Sequence, residues 1–412
     1  MNLTNYSFLD PVVSSDPYAF YQLLHEEQPV YRMPETGAYV ITKYEHVRQA
    51  LKDTESFSSD VRAGNLLRGG NILQAILRER GWEHVQTLQR TDPPVHRRYR
   101  KLLDRVFTGK RVREMAPYIE SVARDLIDSW IDAGTCDFNA QFAMPMPGII
   151  VAEQLGLGRE GIVTFKRWAD AMLGAGLGPN PTEDAVRAQA EIELEAQHYL
   201  ATVFAERRRQ PTDDLISALV HAHGEDEEPL SVHELQNIMH QLITGGFETT
   251  QSAINHGMWN LVRFPELVPK LREDPGRIRG WVEEVLRWES PVQFLARRAT
   301  RDVELGGTTI PEGALVLIGY GPANRDAEKF ECPHRFDPER ENAGAHLAFG
   351  SGAHFCVGAL LARQEMIASF TQIVERLDNI RLARPLPDPV HAYSLFFMPM
   401  QEFHIAFDKR NA

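Results

Sequence analysis

The segment from Ser231 to Arg263 constrains the fold more than any other part of this chain. Apolar residues recur in it at three- and four-residue spacing, the period of a helix with one buried stripe. Ser231-Val-His-Glu234 has the spacing of a capping box at its start, and Phe264-Pro265 closes its far end. At about 1.5 Å per residue such a helix is roughly 50 Å long, enough to cross a whole domain. Its flanks lack the heptad charges of a coiled coil, so it reads as the spine of one large α-rich body. A length of 412 residues would on average divide into domains of roughly 150 residues. No Ser/Gly-rich linker, low-complexity tract or fixed-period repeat divides it here. One domain, residues 1–412, is expected.

The remaining pattern fits around that spine. Residues from about 92 to 290 are helical in period, and 183–209 reads as a second long helix. Before it, Gly174-Ala-Gly-Leu-Gly-Pro-Asn-Pro181 is a strong breaker and a candidate flexible lid. A final helix is expected over about 357–377. Short extended pieces (Ala38–Thr42, Val303–Ile310, Ala314–Gly319) indicate a minor β component. The expected fold class is mainly α. A β-rich lobe comes from about 1–60 with parts of 290–320 and 380–410, and a helical body from about 61–290 and 321–378.

Composition narrows the setting. Hydrophobic residues make up 43% and charged residues 25%, ordinary for a globular chain with a large core. The N-terminus has no basic region followed by an apolar stretch, so no signal peptide is expected. No run of about eighteen uncharged apolar residues occurs, so no membrane span is expected. The three cysteines, Cys136, Cys332 and Cys356, make neither a disulfide framework nor a C-x-x-C pair. That fits a reducing cytoplasm. A net charge of −13 argues against nucleic acid or an anionic membrane as partner.

The chemistry is concentrated in Phe349-Gly-Ser-Gly-Ala-His-Phe-Cys-Val-Gly358, which runs directly into the helical Ala-Leu-Leu-Ala-Arg-Gln-Glu. A soft metal ligand must be a thiolate, and a free thiol with pKa near 8.5 is mostly protonated at neutral pH. A cysteine at a helix start lies beside unpaired N–H groups and the positive end of the helix dipole. Gly350 and Gly352 permit a tight turn, and Gly358 removes a side chain where a flat ring could lie against the backbone. His354 is a donor for a nearby carboxylate, and Phe349 can screen the sulfur from water. A lone cysteine is most often a buried structural residue, but so many fixed offsets ahead of a helix argue for a ligand at Cys356.

This decapeptide closely resembles the haem-binding signature of the cytochrome P-450 family, and the resemblance extends over nearly the whole chain. It implies that Cys356 is the axial thiolate on the iron of haem b, an arrangement that favours O–O cleavage. Gly245-Gly-Phe-Glu-Thr-Thr250, inside the long helix, resembles the family's oxygen-activating segment, with Glu248 and Thr249 as the catalytic acid–alcohol pair. Thr249 stands four residues after Gly245 and can bond its carbonyl, opening a local kink. Family members more often carry Ala where this chain has Gly245, which should widen the groove. Glu284-Val-Leu-Arg287 matches the E-x-x-R element, and Phe336-Asp-Pro-Glu-Arg340 resembles the segment whose Arg completes a buried triad with it. By the same resemblance His96, Arg100, Arg297 and His354 hold the haem propionates, while Phe349, Gly350 and Gly358 shape the cofactor site. Arg297 is preferred to Arg298 because alternate residues of a strand face opposite sides.

The implied activity is a monooxygenase acting on a small to medium apolar substrate. No segment remains for a flavin or iron–sulfur module, so a separate ferredoxin with its reductase is expected. Between His96 and Arg113 the chain has eight Lys/Arg and one acidic residue. That patch suits docking of an acidic ferredoxin near Arg97, Arg98 and Arg105. Residues 62–90, Thr244, Phe247, Val292–Leu295, Leu395 and Phe396 are the expected pocket lining; Arg62, Arg68 or Arg78 could anchor a substrate carboxylate, with a surface position the preferred reading of each. The chain is expected to be a monomer. Rival readings are a peroxide-driven oxygenase of the same fold, a haem-thiolate sensor or electron carrier, and a haemless helical scaffold.

Overall fold

The spine forms as the spacing predicts: Val232–Arg263 is one α-helix of 32 residues, continuous through Gly245 and Gly246. Its capping box is made reciprocally. Ser231 Oγ accepts the Glu234 N–H at 3.2 Å, and the Glu234 carboxylate accepts the Ser231 N–H at 2.8 Å. The second long helix is Glu183–Arg209, capped by Thr182, whose hydroxyl accepts the Ala185 N–H at 3.2 Å. Arg207, Arg208 and Arg209 occupy its last turn, where positive charge meets the negative dipole end.

This computed structural model describes residues 3, 6–61, 70–174, 181–223, 228–387, 390–391, 394–400 and 402–410. The chain groups into two units. One comprises Met1–Ser59, Val112–Met146 and Glu248–Ala412; the other comprises Asp60–Arg111 and Pro147–Phe247.

The first unit carries the sheets. Its five-stranded sheet runs in the order Val30–Arg32, Tyr39–Ile41, Leu315–Gly319, Phe294–Ala299, Phe57–Ser58. All neighbours are antiparallel except Tyr39–Ile41 with Leu315–Gly319. Ile41, Val316 and Ile318 are fully buried in its core. The stretch 303–310, expected as one strand-like piece, is a hairpin of Val303–Leu305 and Thr308–Ile310. Gly306 and Gly307 both have positive φ, 56° and 76°, as a two-residue hairpin turn requires.

A three-stranded sheet of Thr135–Asp137, His404–Lys409 and Leu377–Leu382 corrects the expected boundaries. Its first strand lies within the stretch read as helical body. Three residues are too few to show a period of two; they are extended because they pair with the C-terminal strand, Cys136 opposite Ile405.

The second unit is helical, built from Gly70–Arg80, Val95–Val106, Ile162–Leu173, Glu183–Arg209 and Leu215–Val220 among others. Leu77, Ala190 and Leu194 form a core between the first and fourth of these. Gln197 grips the loop after Gly70–Arg80 by bonding both the N–H and the carbonyl of Trp82 at 2.9 Å. Most of the candidate lid, residues 175–180, and the possible anchors Arg62 and Arg68 lie outside the described residues. Among the described residues no helix is long and apolar enough to cross a membrane.

Candidate active site

The cysteine loop is a turn set by two left-handed glycines. Gly350 and Gly352 have φ of 73° and 71°, a region that costs most other residues 1–3 kcal/mol. At Gly352 an added Cβ would also meet the Leu51 carbonyl oxygen at 2.8 Å. The turn brings the Cys356 N–H onto the Phe349 carbonyl at 2.8 Å. It leaves Cys356 exposed just ahead of the helix Ala359–Arg376, whose N-cap is Gly358.

Three anchors hold this loop to the rest of the first unit. Asn324 accepts the Leu347 N–H at 2.6 Å and donates to Ser290 at 2.7 Å. His354 Nε2 shares a hydrogen bond of 3.0 Å with the Ser59 hydroxyl. The Arg363 guanidinium lies 4.4 Å from the centre of the Phe349 ring and binds Glu283 at 2.6 and 2.8 Å. His346 meets the same carboxylate at 3.1 Å. Burial raises the Glu283 pKa, but the bonds from Arg363 and His346 outweigh it and bring it down to about 2.

The E-x-x-R pair lies beneath. Glu284 and Arg287 are fully buried, and Arg340 adds a third contact to the Glu284 carboxylate at 3.2 Å. Arg287 also donates to the carbonyls of Asn324 and Pro333, both at 2.9 Å. The pair therefore fixes the Asn324 segment that receives Leu347.

Strand alternation separates the two neighbouring arginines: Arg297 is 7% exposed, whereas Arg298 faces solvent. Arg297 donates to the Ala296 carbonyl at 2.9 Å and to the Tyr320 hydroxyl, and has no carboxylate partner among the described residues. Burial raises the Tyr320 pKa, and Arg297 pulls against it. The Tyr320 ring lies 3.6 Å from where a Gly350 Cβ would stand, so Tyr320 bridges Arg297 and the cysteine loop.

These features can be tested against a haem. A buried guanidinium lacking a protein carboxylate is suited to an external one. At Gly358 an added Cβ would meet only Cys356 Sγ, at 3.9 Å, an ordinary contact. Packing within the chain does not demand glycine there. Both observations fit a flat, carboxylate-bearing group beside Cys356.

The other expected residues are distributed as follows. Glu248 and Thr249 are half-buried on the long helix in the first unit, one helical turn beyond Gly245, where an added Cβ would have open space. His96 (2% exposed) and Arg100 lie on the helix Val95–Val106 of the second unit, with Arg100 at 2.8 Å from Asp104. Arg97 and Arg105 are exposed on that helix.

One expectation requires correction. Arg98 is not an exposed docking charge: it is ion-paired with Glu234, donates to the Glu228 carbonyl at 3.1 Å and lies over Tyr99. Arg78 is exposed and held by Glu83 at 2.7 Å, the surface position preferred for it from the sequence. Tyr320, Glu283, His346 and Arg363 were not anticipated. Each acts through a partner distant in sequence, with no local pattern to mark it.

Comparison with known proteins gives the same reading over the full length. The Cytochrome P450 family model matches residues 178–389. "Cytochrome P450 107B1" of Saccharopolyspora erythraea is 35% identical, the match covering 96% of this chain and 96% of that protein. "6-deoxyerythronolide B hydroxylase" of the same organism is 33% identical over 95% of this chain and 96% of its own. Among solved structures, cytochrome P450 CYP109Q5 from Chondromyces apiculatus superposes with a TM-score of 0.85 at 32% identity, covering 98% of each chain. A glycine-turned cysteine ahead of a helix, a buried E-x-x-R triad and this likeness converge: the chain belongs to the bacterial cytochrome P450 monooxygenases, oxidoreductases that bind haem b through a cysteine thiolate.

Proposed function

We propose that residues 1–412 form a single haem-binding domain that inserts one oxygen atom of O2 into a small to medium apolar organic substrate. Electrons come from a separate ferredoxin with its reductase. The observation that carries this reading is Cys356, accessible at a helix start and held by a turn of two left-handed glycines. The reading places the chain in the cytoplasm as a monomer.

Cys356 would hold the haem iron through its thiolate, with Phe349 screening the sulfur from water and Arg363 keeping that ring in place. Gly350 shapes the turn and Gly358 leaves room for a ring. Arg297 and His354, with His96 and Arg100, neutralise the propionates. Bound there, haem b supplies the oxygen activation that amino-acid side chains cannot. Thr249 holds a proton at its hydroxyl, and Glu248 replenishes it from solvent through its carboxyl group. Apolar side chains from residues 70–90, Phe247, Val292–Leu295, Leu395 and Phe396, together with Thr244, orient the substrate. An acidic ferredoxin docks on the exposed Arg97 and Arg105.

The test combines spectroscopy with turnover. The reduced protein under carbon monoxide should show the long-wavelength absorption peculiar to thiolate ligation, and Cys356→Ser should lose it. A library of apolar compounds should shift the ferric spin state. One that does should give a hydroxylated product with O2, a ferredoxin and its reductase. Unaltered spectrum and oxidation in Cys356→Ser, or turnover with peroxide but none with the ferredoxin system, would overturn it.

A further inference from the structure

The second unit contains a group of side chains for which the oxygenase reading has no use. His84 lies in the loop after Gly70–Arg80, Glu193 on Glu183–Arg209 and His240 on Val232–Arg263. One donor atom from each lies within 4.8 Å of the other two. His84 Nε2 and a Glu193 oxygen are 2.5 Å apart, and the His84 and His240 rings meet edge to face at 4.7 Å. Glu193 is 2% exposed, an expensive place for a carboxylate unless cations or donors surround it. Among the described residues no other group of three such side chains comes this close.

We propose that His84, Glu193 and His240 form a binding site for a divalent transition-metal ion of the zinc class. Two imidazoles and a carboxylate are a common donor set for such ions, whereas Mg²⁺ and Ca²⁺ favour all-oxygen sites. Bonds of about 2.0–2.1 Å in a tetrahedron place donor atoms roughly 3.3 Å apart. The three donor atoms already lie within 4.8 Å of one another, so small side-chain rotations complete the site.

The outer contact of His240 is that of a ligand, and the one at His84 is not. His240 bonds the backbone of Met172 through one ring nitrogen, which orients the ring and leaves the other nitrogen for the metal. Gln74 contacts His84 twice, its Oε1 accepting the backbone N–H at 3.0 Å and its Nε2 facing Nδ1 at 3.0 Å. A metal at His84 Nε2 displaces the hydrogen shared with Glu193, and the neutral ring then carries its single proton on Nδ1. That proton then faces the Gln74 amide nitrogen, a donor, so the native Gln74 holds the affinity below its maximum. The ion ties one loop to two helices from distant parts of the sequence, all within the second unit.

Isothermal titration of Zn²⁺ into tag-free, haem-loaded protein after dialysis against EDTA tests the site. The wild type should take up one ion per chain in the micromolar range or tighter, and Mg²⁺ should not compete. His84→Ala and Glu193→Gln should each weaken binding by at least on the order of a hundredfold, since losing an outer partner alone costs about 10–100-fold. Glu193 is buried and its variant risks misfolding, so Gln74→Glu provides a second arm. Its carboxylate accepts from both the His84 backbone and Nδ1, and Zn²⁺ should bind about tenfold more tightly. Absence of a stoichiometric site in the wild type, full affinity in His84→Ala, or no tightening in Gln74→Glu would overturn the proposal.

Discussion

Arg287 grips both carboxylate oxygens of Glu284, at 2.7 and 2.8 Å, and neither side chain reaches solvent. The pair does more than cancel charge. Glu284 also accepts the Asp337 N–H at 2.9 Å and Arg287 donates to the carbonyls of Asn324, Pro333 and Arg335, so the helix, the Asn324 turn and the 333–337 stretch meet on the pair. Removing Glu284 leaves the Arg287 guanidinium buried without its carboxylate, and removing Arg287 leaves the buried Glu284 with Arg340 alone. Glu284→Ala or Arg287→Ala should therefore cost about 3–5 kcal/mol in urea unfolding. Replacing both with apolar residues of similar volume should recover much of that loss. A single variant within about 1 kcal/mol of wild type would refute this account.

Glu283 makes stability depend on acid. Its pKa falls from 4.5 to about 2 in the fold, so the folded state binds fewer protons than the unfolded chain between those values. The stabilisation is fully present above pH 5 and is lost as the pH drops toward 2. It is on the order of 2–3 kcal/mol. Glu283→Gln should remove this part of the acid transition and loosen Phe349 through Arg363. Chemical denaturation from pH 7 to 3 measures the first effect, and Phe349 side-chain NMR the second.

Glu365 has the opposite sign. It is 2% exposed with one carboxylate oxygen lacking a hydrogen-bond partner, and burial raises its pKa to about 8. The folded state here binds the extra proton, so this group's contribution to stability is greatest below pH 4.5 and declines as the pH rises to 8. Glu365→Gln should flatten that decline and raise the unfolding temperature at pH 8 more than at pH 5. Equal shifts at both values would mean the carboxyl is not neutral in the fold.

What the sequence disclosed and what it hid have separate physical origins. Val232–Arg263 was legible to within a residue because Ser231 and Glu234 make a local cap and Pro265 is a local stop, and Glu183–Arg209 because helical composition and period are local. Arg297 was separable from Arg298 because strand alternation is also local. Thr135–Asp137 was not legible, since only its pairing near Ile405 makes it a strand. Tyr320 and the Glu283–Arg363 pair were equally hidden: their partners are brought together by sheet register and helix packing.

The glycines of the cysteine loop have two distinct roles. Gly352→Ala combines a positive φ with a 2.8 Å approach to the Leu51 carbonyl and should cost about 1–3 kcal/mol. Gly358→Ala meets nothing closer than 3.9 Å within the chain, so the polypeptide's own stability should change by less than about 0.5 kcal/mol. Its haem content after purification should nonetheless fall. Full haem occupancy in Gly358→Ala would show that the ring lies elsewhere.

The basic helix Val95–Val106 separates surface charge from structural charge. A run of arginines in sequence looks like one face, yet Arg98 is bound to Glu234, itself the carboxylate that caps the long helix. Arg98→Glu sets two carboxylates together at that cap and removes a contact with Tyr99, so it should lower the unfolding temperature by several degrees. Arg97 is exposed on the same helix. Arg97→Glu should leave folding and the haem spectrum unchanged while slowing reduction by an acidic ferredoxin. The deficit should be several-fold at low salt and shrink as ionic strength rises, because an exposed charge acts mainly on encounter. Stopped-flow reduction at two salt concentrations checks it: equal rates for wild type and Arg97→Glu at low salt would move the docking surface off this helix.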